Sequence, residues 1–146
     1  MRKAIYVLNG PNLNLLGVRE PELYGSTTLA QVEQMCQRVA RELGFECEFR
    51  QTNHEGVMVD WVQEAREKAD AIAINPAGLS FRSIPLLDAL KTFDKPIVEV
   101  HLTNIHRREP LYQHSLVSLA ATGVICGLGA FGYELAIRAL ANRTAQ

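Results

Sequence analysis

The sequence predicts an α/β fold in which five parallel strands form one sheet covered by helices on both faces. Two observations carry the prediction. Short apolar runs alternate along the chain with segments of helical periodicity. Within those runs the apolar residues are continuous rather than alternating, as expected of strands buried on both faces. Strand–helix alternation then implies right-handed crossovers and a parallel sheet.

The elements follow in order. Residues 4–8 form the first strand, with β-branched and aromatic members. Leu29, Val32, Cys36, Val39 and Leu43 recur at 3,4,3,4 spacing and mark one face of a helix. Thr28 with Gln31 fits a capping box at its start, and Gly44 is placed to end it. Residues 45–50 read as the second strand. Met58, Val62, Ala65 and Ala69 step 4,3,4 through a second helix over about residues 56–68. Residues 71–74 are the third strand, and Ser83-Ile84-Pro85 opens a third helix running to about Lys91. Residues 96–100 and 123–126 are the fourth and fifth strands, and 131–141 the closing helix. Five strands and about five helices in 146 residues fit one domain over 1–146, with a flavodoxin-like, doubly wound strand order 2-1-3-4-5.

Hydrophobic residues make up 47% of the chain, charged residues 21%, and the formal net charge is −1. That balance argues against a nucleic-acid partner or an anionic membrane surface. No apolar stretch approaches membrane-spanning length. Met1-Arg2-Lys3 leads straight into the first strand, whose apolar run is too short for a signal-peptide core. Cys36, Cys47 and Cys126 are odd in number and lack Cys-x-x-Cys spacing. They are expected to be buried free thiols of a cytoplasmic protein.

About eighteen residues separate the first strand from the helix beginning near Thr28. Connections of this length in a compact domain are commonly disordered or functional lids. Leu13, Leu15, Leu16, Val18 and Leu23 give the segment apolar groups to bury, which argues against disorder. It also carries Asn12, Arg19 and Tyr24. In a sheet of order 2-1-3-4-5 the ligand crevice lies at the carboxyl ends of strands 1 and 3. The lid, the loop Asn75-Pro76-Ala77-Gly78-Leu79-Ser80, and Glu99 and His101 at the end of strand 4 therefore converge on one site.

Glu99 and His101 are two apart on a strand and share a face. A carboxylate beside an imidazole favours the imidazolium and fixes which nitrogen faces outward. His101 is thus a candidate general acid oriented by Glu99, although a structural pair fits the same spacing. A metal site recruiting His106 or His114 lacks a helical His-x-x-x-His pair and any cysteine ligand set, so no metal is expected. A tyrosine phenol, ordinarily ionising near about 10, is a poor base at neutral pH. A nearby guanidinium favours the phenolate, and Arg19 and Arg108 are the candidates for Tyr24. A loop tyrosine alone fits a packing role as well. Asn12 and Asn75 sit on the two crevice loops, where an amide can bind an oxyanion or hold a water. Gly127, Gly129 and Gly132 match G-x-G-x-x-G between a strand and a helix. The dinucleotide fingerprint also needs an acidic residue about 20 positions on at the end of a further strand, and only the closing helix follows. These glycines are expected to serve a tight turn and close helix–sheet packing.

One set of motifs is more specific than any single pair. It comprises Leu8-Asn9-Gly10-Pro11-Asn12-Leu13-Asn14-Leu15-Leu16-Gly17, Arg19-Glu20-Pro21 with Tyr24-Gly25, Asn53-His54-Glu55-Gly56, Asn75-Pro76 and Val98-Glu99-Val100-His101-Leu102-Thr103-Asn104. His106, Arg108-Glu109, His114-Ser115, Gly123-Val124-Ile125-Cys126-Gly127 and Gly132-Tyr133 extend it. Over about residues 5–140 the chain resembles the type II 3-dehydroquinate dehydratases.

The resemblance implies a flavodoxin-like enzyme without metal or organic cofactor, usually a dodecamer built from trimers. It implies conversion of 3-dehydroquinate to 3-dehydroshikimate by anti elimination through an enolate. By resemblance, Tyr24 is the base, Arg19 and Arg108 favour its phenolate, and Asn12 stabilises the enolate through a water. His101, oriented by Glu99, protonates the departing hydroxyl. Asn75 contacts the substrate, the backbone amides of Leu102 and Thr103 hold its carboxylate, and Asp88 reaches into a neighbouring subunit's site.

Two positions depart from the family pattern. Where the third loop usually runs Asn-Pro-Gly-Ala-Tyr-Thr-His-Thr-Ser, this chain has Asn75-Pro76-Ala77-Gly78-Leu79-Ser80-Phe81-Arg82-Ser83. The family histidine is Phe81 here, and the arginine that reads ring hydroxyls falls at Tyr112. An unpaired substrate hydroxyl costs about 1–3 kcal/mol. Either Tyr112 or Arg82 compensates, or the substrate is a related cyclic hydroxy-keto acid with fewer or differently placed hydroxyls. A carboxylate-binding module without turnover is the alternative outside enzymes, and the intact acid–base set argues against it.

Overall fold

Five strands, β1 (Lys3–Asn9), β2 (Phe45–Gln51), β3 (Ala71–Asn75), β4 (Ile97–His101) and β5 (Gly123–Cys126), form one parallel sheet in the order β2-β1-β3-β4-β5. This is the predicted order. The computed structural model describes residues 3–145; Met1 and Arg2, from the expected lead-in to β1, and Gln146 lie outside the described residues. The helices are α1 (Pro21–Tyr24), α2 (Leu29–Glu42), α3 (Glu55–Lys68), α4 (Ile84–Lys91) and α5 (Phe131–Thr144).

Period-two alternation along the strands splits the core into two layers. Ile5 and Val7 of β1, with Ala71, Ala73, Val98 and Val100, pack on Val32, Cys36 and Val39 of α2 and on Tyr133, Ile137 and Leu140 of α5. Tyr6, Leu8, Ile72, Ile74 and Ile97 face the other way, onto Met58 and Val62 of α3 and Leu86 and Leu90 of α4. Each fully buried aliphatic side chain contributes about 1.5–3 kcal/mol. The three central strands are buried along most of their length, whereas the edge strands β2 and β5 are only partly covered.

The local signals act as their chemistry dictates. Thr28 Oγ1 accepts from Gln31 N while Gln31 Oε1 accepts from Thr28 N, closing the capping box of α2. Gly44 follows that helix at φ +86°, a left-handed position that glycine adopts without strain. Ser83 caps α4 by accepting from Leu86 N, with Pro85 in the first turn. Gly127 and Gly129 form the turn after β5 at φ +88° and +61°. Gly132 lets α5 approach the sheet, since a Cβ there would lie 3.4 Å from Ile125 and 3.5 Å from Val100.

Two expectations are corrected. Only Leu13 and Leu16 of the long first loop are buried, while Leu15, Val18 and Leu23 are exposed. The reason is local: a 3-10 turn (Leu13–Leu15) and the single turn of α1 give the loop no sustained apolar face. All three cysteines are free, but only Cys36 is buried; Cys47 and Cys126, on the edge strands, are partly exposed. Among the described residues no helix is long and apolar enough to cross a membrane.

Candidate active site

At the carboxyl ends of β1, β3 and β4 the loops enclose a cavity of about 220 Å³. Asn12, Arg19 and Tyr24 reach it from the first loop, Asn75 from β3, and His101, Leu102, Thr103 and Arg108 from β4 and the segment after it. Two sequence candidates stand outside. Glu99 lies behind His101, fully buried. Asp88 is exposed on α4 and does not line this cavity.

Backbone contacts hold the converging loops in register. Gly10 N donates to Asn75 O at 2.8 Å, joining the first loop to the third strand. From the end of β2, Gln51 Nε2 donates to Gly10 O at 3.2 Å, and Asn53 Oδ1 accepts from Asn12 N at 3.0 Å. The Asn53-His54-Glu55-Gly56 motif thus braces the site without entering it. Glu55 continues the brace, its carboxylate accepting from Ser83 Oγ at 2.6 Å.

His101 Nε2 is hydrogen-bonded to Glu99 Oε2, which leaves Nδ1 as the ring nitrogen not engaged by that carboxylate. Glu99 Oε1 accepts from Ser118 Oγ at 2.5 Å. Burial by itself raises the Glu99 pKa; the hydrogen bond from His101, the Ser115 and Ser118 hydroxyls and the His101 charge outweigh it and hold the carboxyl below its usual range. Of the two serines, Ser118 makes the defined hydrogen bond, while Ser115 Oγ falls short of hydrogen-bond geometry and acts through proximity. No sequence pattern pointed to Ser118, which sits in a short 3-10 turn (Val117–Leu119).

Tyr24 lies beneath two cations. Arg19 Cζ is 5.1 Å from its ring centroid and Arg108 Cζ 5.7 Å. Phe81 and Tyr112, the two departures, both line the cavity and touch edge-on with ring centroids 5.3 Å apart. Arg82 is exposed and does not line it. Ala77, also in the wall, holds φ +51°, and its N–H is met by Asn75 Oδ1 at 3.2 Å. A left-handed alanine is strained by about 1 kcal/mol, so the loop after β3 is kept in shape by its contacts.

With this geometry established, known proteins supply the family. The dehydroquinase class II family model matches residues 3–141. The chain belongs to this family. It is 57% identical over 142 residues to a 3-dehydroquinate dehydratase of Phenylobacterium zucineum, covering 97% of this chain and 98% of that one. To the 3-dehydroquinate dehydratase of Caulobacter vibrioides it is 58% identical over 139 residues, 95% of each chain. Among solved class II folds it superposes on a type II dehydroquinase from Propionibacterium acnes with a TM-score of 0.93 at 46% identity, covering 97% of this chain and 98% of that one. A 3-dehydroquinate dehydratase-like protein from Bifidobacterium longum gives 0.74 at 32% identity over the full length of both chains.

Proposed function

We propose that this class II dehydroquinase converts 3-dehydroquinate to 3-dehydroshikimate as a single catalytic domain in the cytoplasm. One observation carries the reading: a tyrosine beneath two guanidinium groups shares a small cavity with a carboxylate-bound histidine. That is an acid–base pair, which a simple binding module does not need.

In this reading Tyr24 acts as a phenolate and removes the proton beside the substrate ketone. Arg19 and Arg108 place positive charge where the phenolate forms. The electron pair passes to the ketone oxygen as an enolate, which Asn12 stabilises through a water. The enolate then collapses, the C–OH bond breaks, and His101 protonates the departing hydroxyl, so that water leaves. Glu99 orients the imidazole and offsets its charge. Asn75 binds substrate, and the amides of Leu102 and Thr103 hold its carboxylate. No metal or organic cofactor takes part. Asp88, exposed on α4, serves a neighbouring subunit in a dodecamer built from trimers.

The test is purified protein with 3-dehydroquinate, followed by the absorbance of the conjugated enone. Turnover that disappears in Tyr24→Phe and His101→Ala supports the reading. Saturable binding without turnover by the unaltered protein overturns it. The Phe81–Tyr112 contact favours a second reading, a paralogue acting on a related cyclic hydroxy-keto acid, because a phenyl ring offers no hydrogen bond to a substrate hydroxyl. Higher kcat/KM on an analogue lacking ring hydroxyls than on 3-dehydroquinate selects that reading.

A further inference from the structure

A continuous series of rings and cations runs along the cavity wall. Arg19 and Arg108 both face the Tyr24 ring. Arg108 Cζ also lies 4.1 Å from the centroid of Tyr112, the shortest cation–ring contact among the described residues. Tyr112 meets Phe81 edge-on at 5.3 Å with an interplanar angle of 80°. Phe81 in turn stacks on His101, with centroids 6.3 Å apart and planes inclined by 28°.

The local chain explains why Tyr112 covers Arg108. Pro110–Tyr112 is a 3-10 turn in which Tyr112 N donates to Glu109 O at 2.8 Å. Gln113 Nε2 closes the loop by donating to Arg108 O at 2.7 Å. A ring four residues after the arginine is thereby folded back over its guanidinium. Among the described residues Arg108 makes no ion pair, so no carboxylate holds its head group. A flexible arginine without such a partner samples several rotamers unless a flat surface stacks on it.

We propose that Tyr112, braced by its T-shaped contact with Phe81, is a positioning residue that holds the Arg108 guanidinium over Tyr24. The proposal rests on the reading of Tyr24 as the base and adds a residue that acts on that base through Arg108. The contact uses the ring face of Tyr112, not its hydroxyl. Phenylalanine therefore replaces it, and an aliphatic side chain does not.

The experiment compares Tyr112→Phe, Tyr112→Leu and Tyr112→Met with the unaltered protein by two measurements. In the ligand-free, 15N-labelled protein, the Arg108 Nε–Hε resonance is expected to persist in Tyr112→Phe. In Tyr112→Leu and Tyr112→Met it collapses to the position of a mobile, solvent-facing arginine, while the amide spectrum keeps its folded dispersion. In turnover of 3-dehydroquinate, Tyr112→Phe is expected to keep kcat within about twofold of the unaltered protein. The aliphatic variants lose about tenfold in kcat and leave KM within about threefold. An Arg108 resonance unchanged in both aliphatic variants overturns the inference, as does a kcat loss in Tyr112→Phe equal to theirs or an effect confined to KM. Absence of turnover by the unaltered protein overturns the proposed substrate instead, and the resonance measurement still decides the role of Tyr112.

Discussion

Asn75 Nδ2 donates to the Tyr133 hydroxyl at 2.9 Å, and this bond fixes which way the Asn75 amide faces. The orientation is dictated from both ends by backbone groups. Asn9 Nδ2 must donate to the carbonyl of Arg50, at 3.0 Å, so Asn9 Oδ1 faces Tyr133 and accepts from its hydroxyl at 2.7 Å. The Tyr133 oxygen is then left to accept from Asn75 Nδ2, and Asn75 Oδ1 receives the Ala77 N–H. Burial raises the Tyr133 pKa well above the usual tyrosine range, so it remains a phenol and a donor.

Tyr133→Phe removes the middle of this relay and leaves a buried amide N–H and a buried carbonyl unpaired. Each unsatisfied group costs about 1–3 kcal/mol, so a loss of about 2–6 kcal/mol in urea unfolding is expected. Turnover should fall by about tenfold, because Asn75 is then held by the Ala77 N–H alone and its amide is free to tilt in the cavity wall. Equal stability and activity in the variant would show that the relay does not orient Asn75.

Much of this architecture was legible in the sequence, for a physical reason. Strands announce themselves as short continuous apolar runs such as Ile5 to Leu8, and helices through period, as in Val32, Cys36 and Val39 along one helical face. The topology then sends Asn12, Tyr24, Asn75 and His101 to one crevice. What stayed hidden has no period. Ser118 meets Glu99 from a 3-10 turn, and Asn9 meets Tyr133 across 124 residues. The loop residues Leu15, Val18 and Leu23 look like core and face solvent, because apolar character alone does not say which side of a short turn is covered.

Glu99→Gln keeps the shape of the side chain and removes its charge. The buried His101 then loses its anionic partner, and turnover is expected to fall by about 100-fold. Stability should change in a defined pH window. Because the folded Glu99 pKa is depressed, its stabilisation is present above the unfolded value of 4.5 and is lost as pH falls through the folded value. Urea midpoints measured from neutral to acid pH should therefore fall less steeply in the variant, and parallel curves would refute the ionised assignment.

A second acid-sensitive group lies away from the cavity. Hydrogen bonds from Arg50 Nη2 at 2.7 Å and the Tyr6 hydroxyl at 2.5 Å hold the Glu64 carboxyl down to about 2. Burial first, and then the hydrogen bond to Glu64 and its charge, push the Tyr6 phenol up to about 12 against the opposing charge of Arg50. Glu64 stabilisation is thus present above about 4.5 and lost as pH falls toward about 2. Its side chain is 30% exposed, so solvent screening reduces the effect. Glu64→Gln should flatten the stability curve between those limits while leaving turnover at neutral pH unchanged, as followed by thermal unfolding across that range.

Gly10→Ala tests whether close backbone approach builds the site. A Cβ at Gly10 would sit 2.4 Å from the Pro76 carbonyl oxygen and 2.8 Å from its carbon, both rigid backbone atoms. The glycine is required for space, since its φ is not in the left-handed region. Insertion of one methyl must push the first loop from the loop after β3 and break the 2.8 Å bond between Gly10 N and Asn75 O. Overpacking of this kind costs about 1–3 kcal/mol. Activity should fall further than stability, by about 100-fold, because a displacement of about 1 Å separates Asn12 on one loop from Asn75 on the other. Gly56→Ala provides the comparison: its Cβ meets nothing within 4 Å, in the first turn of α3, and stability there should rise slightly. If Gly10→Ala unfolds and turns over like Gly56→Ala, the two loops do not depend on that contact for their register.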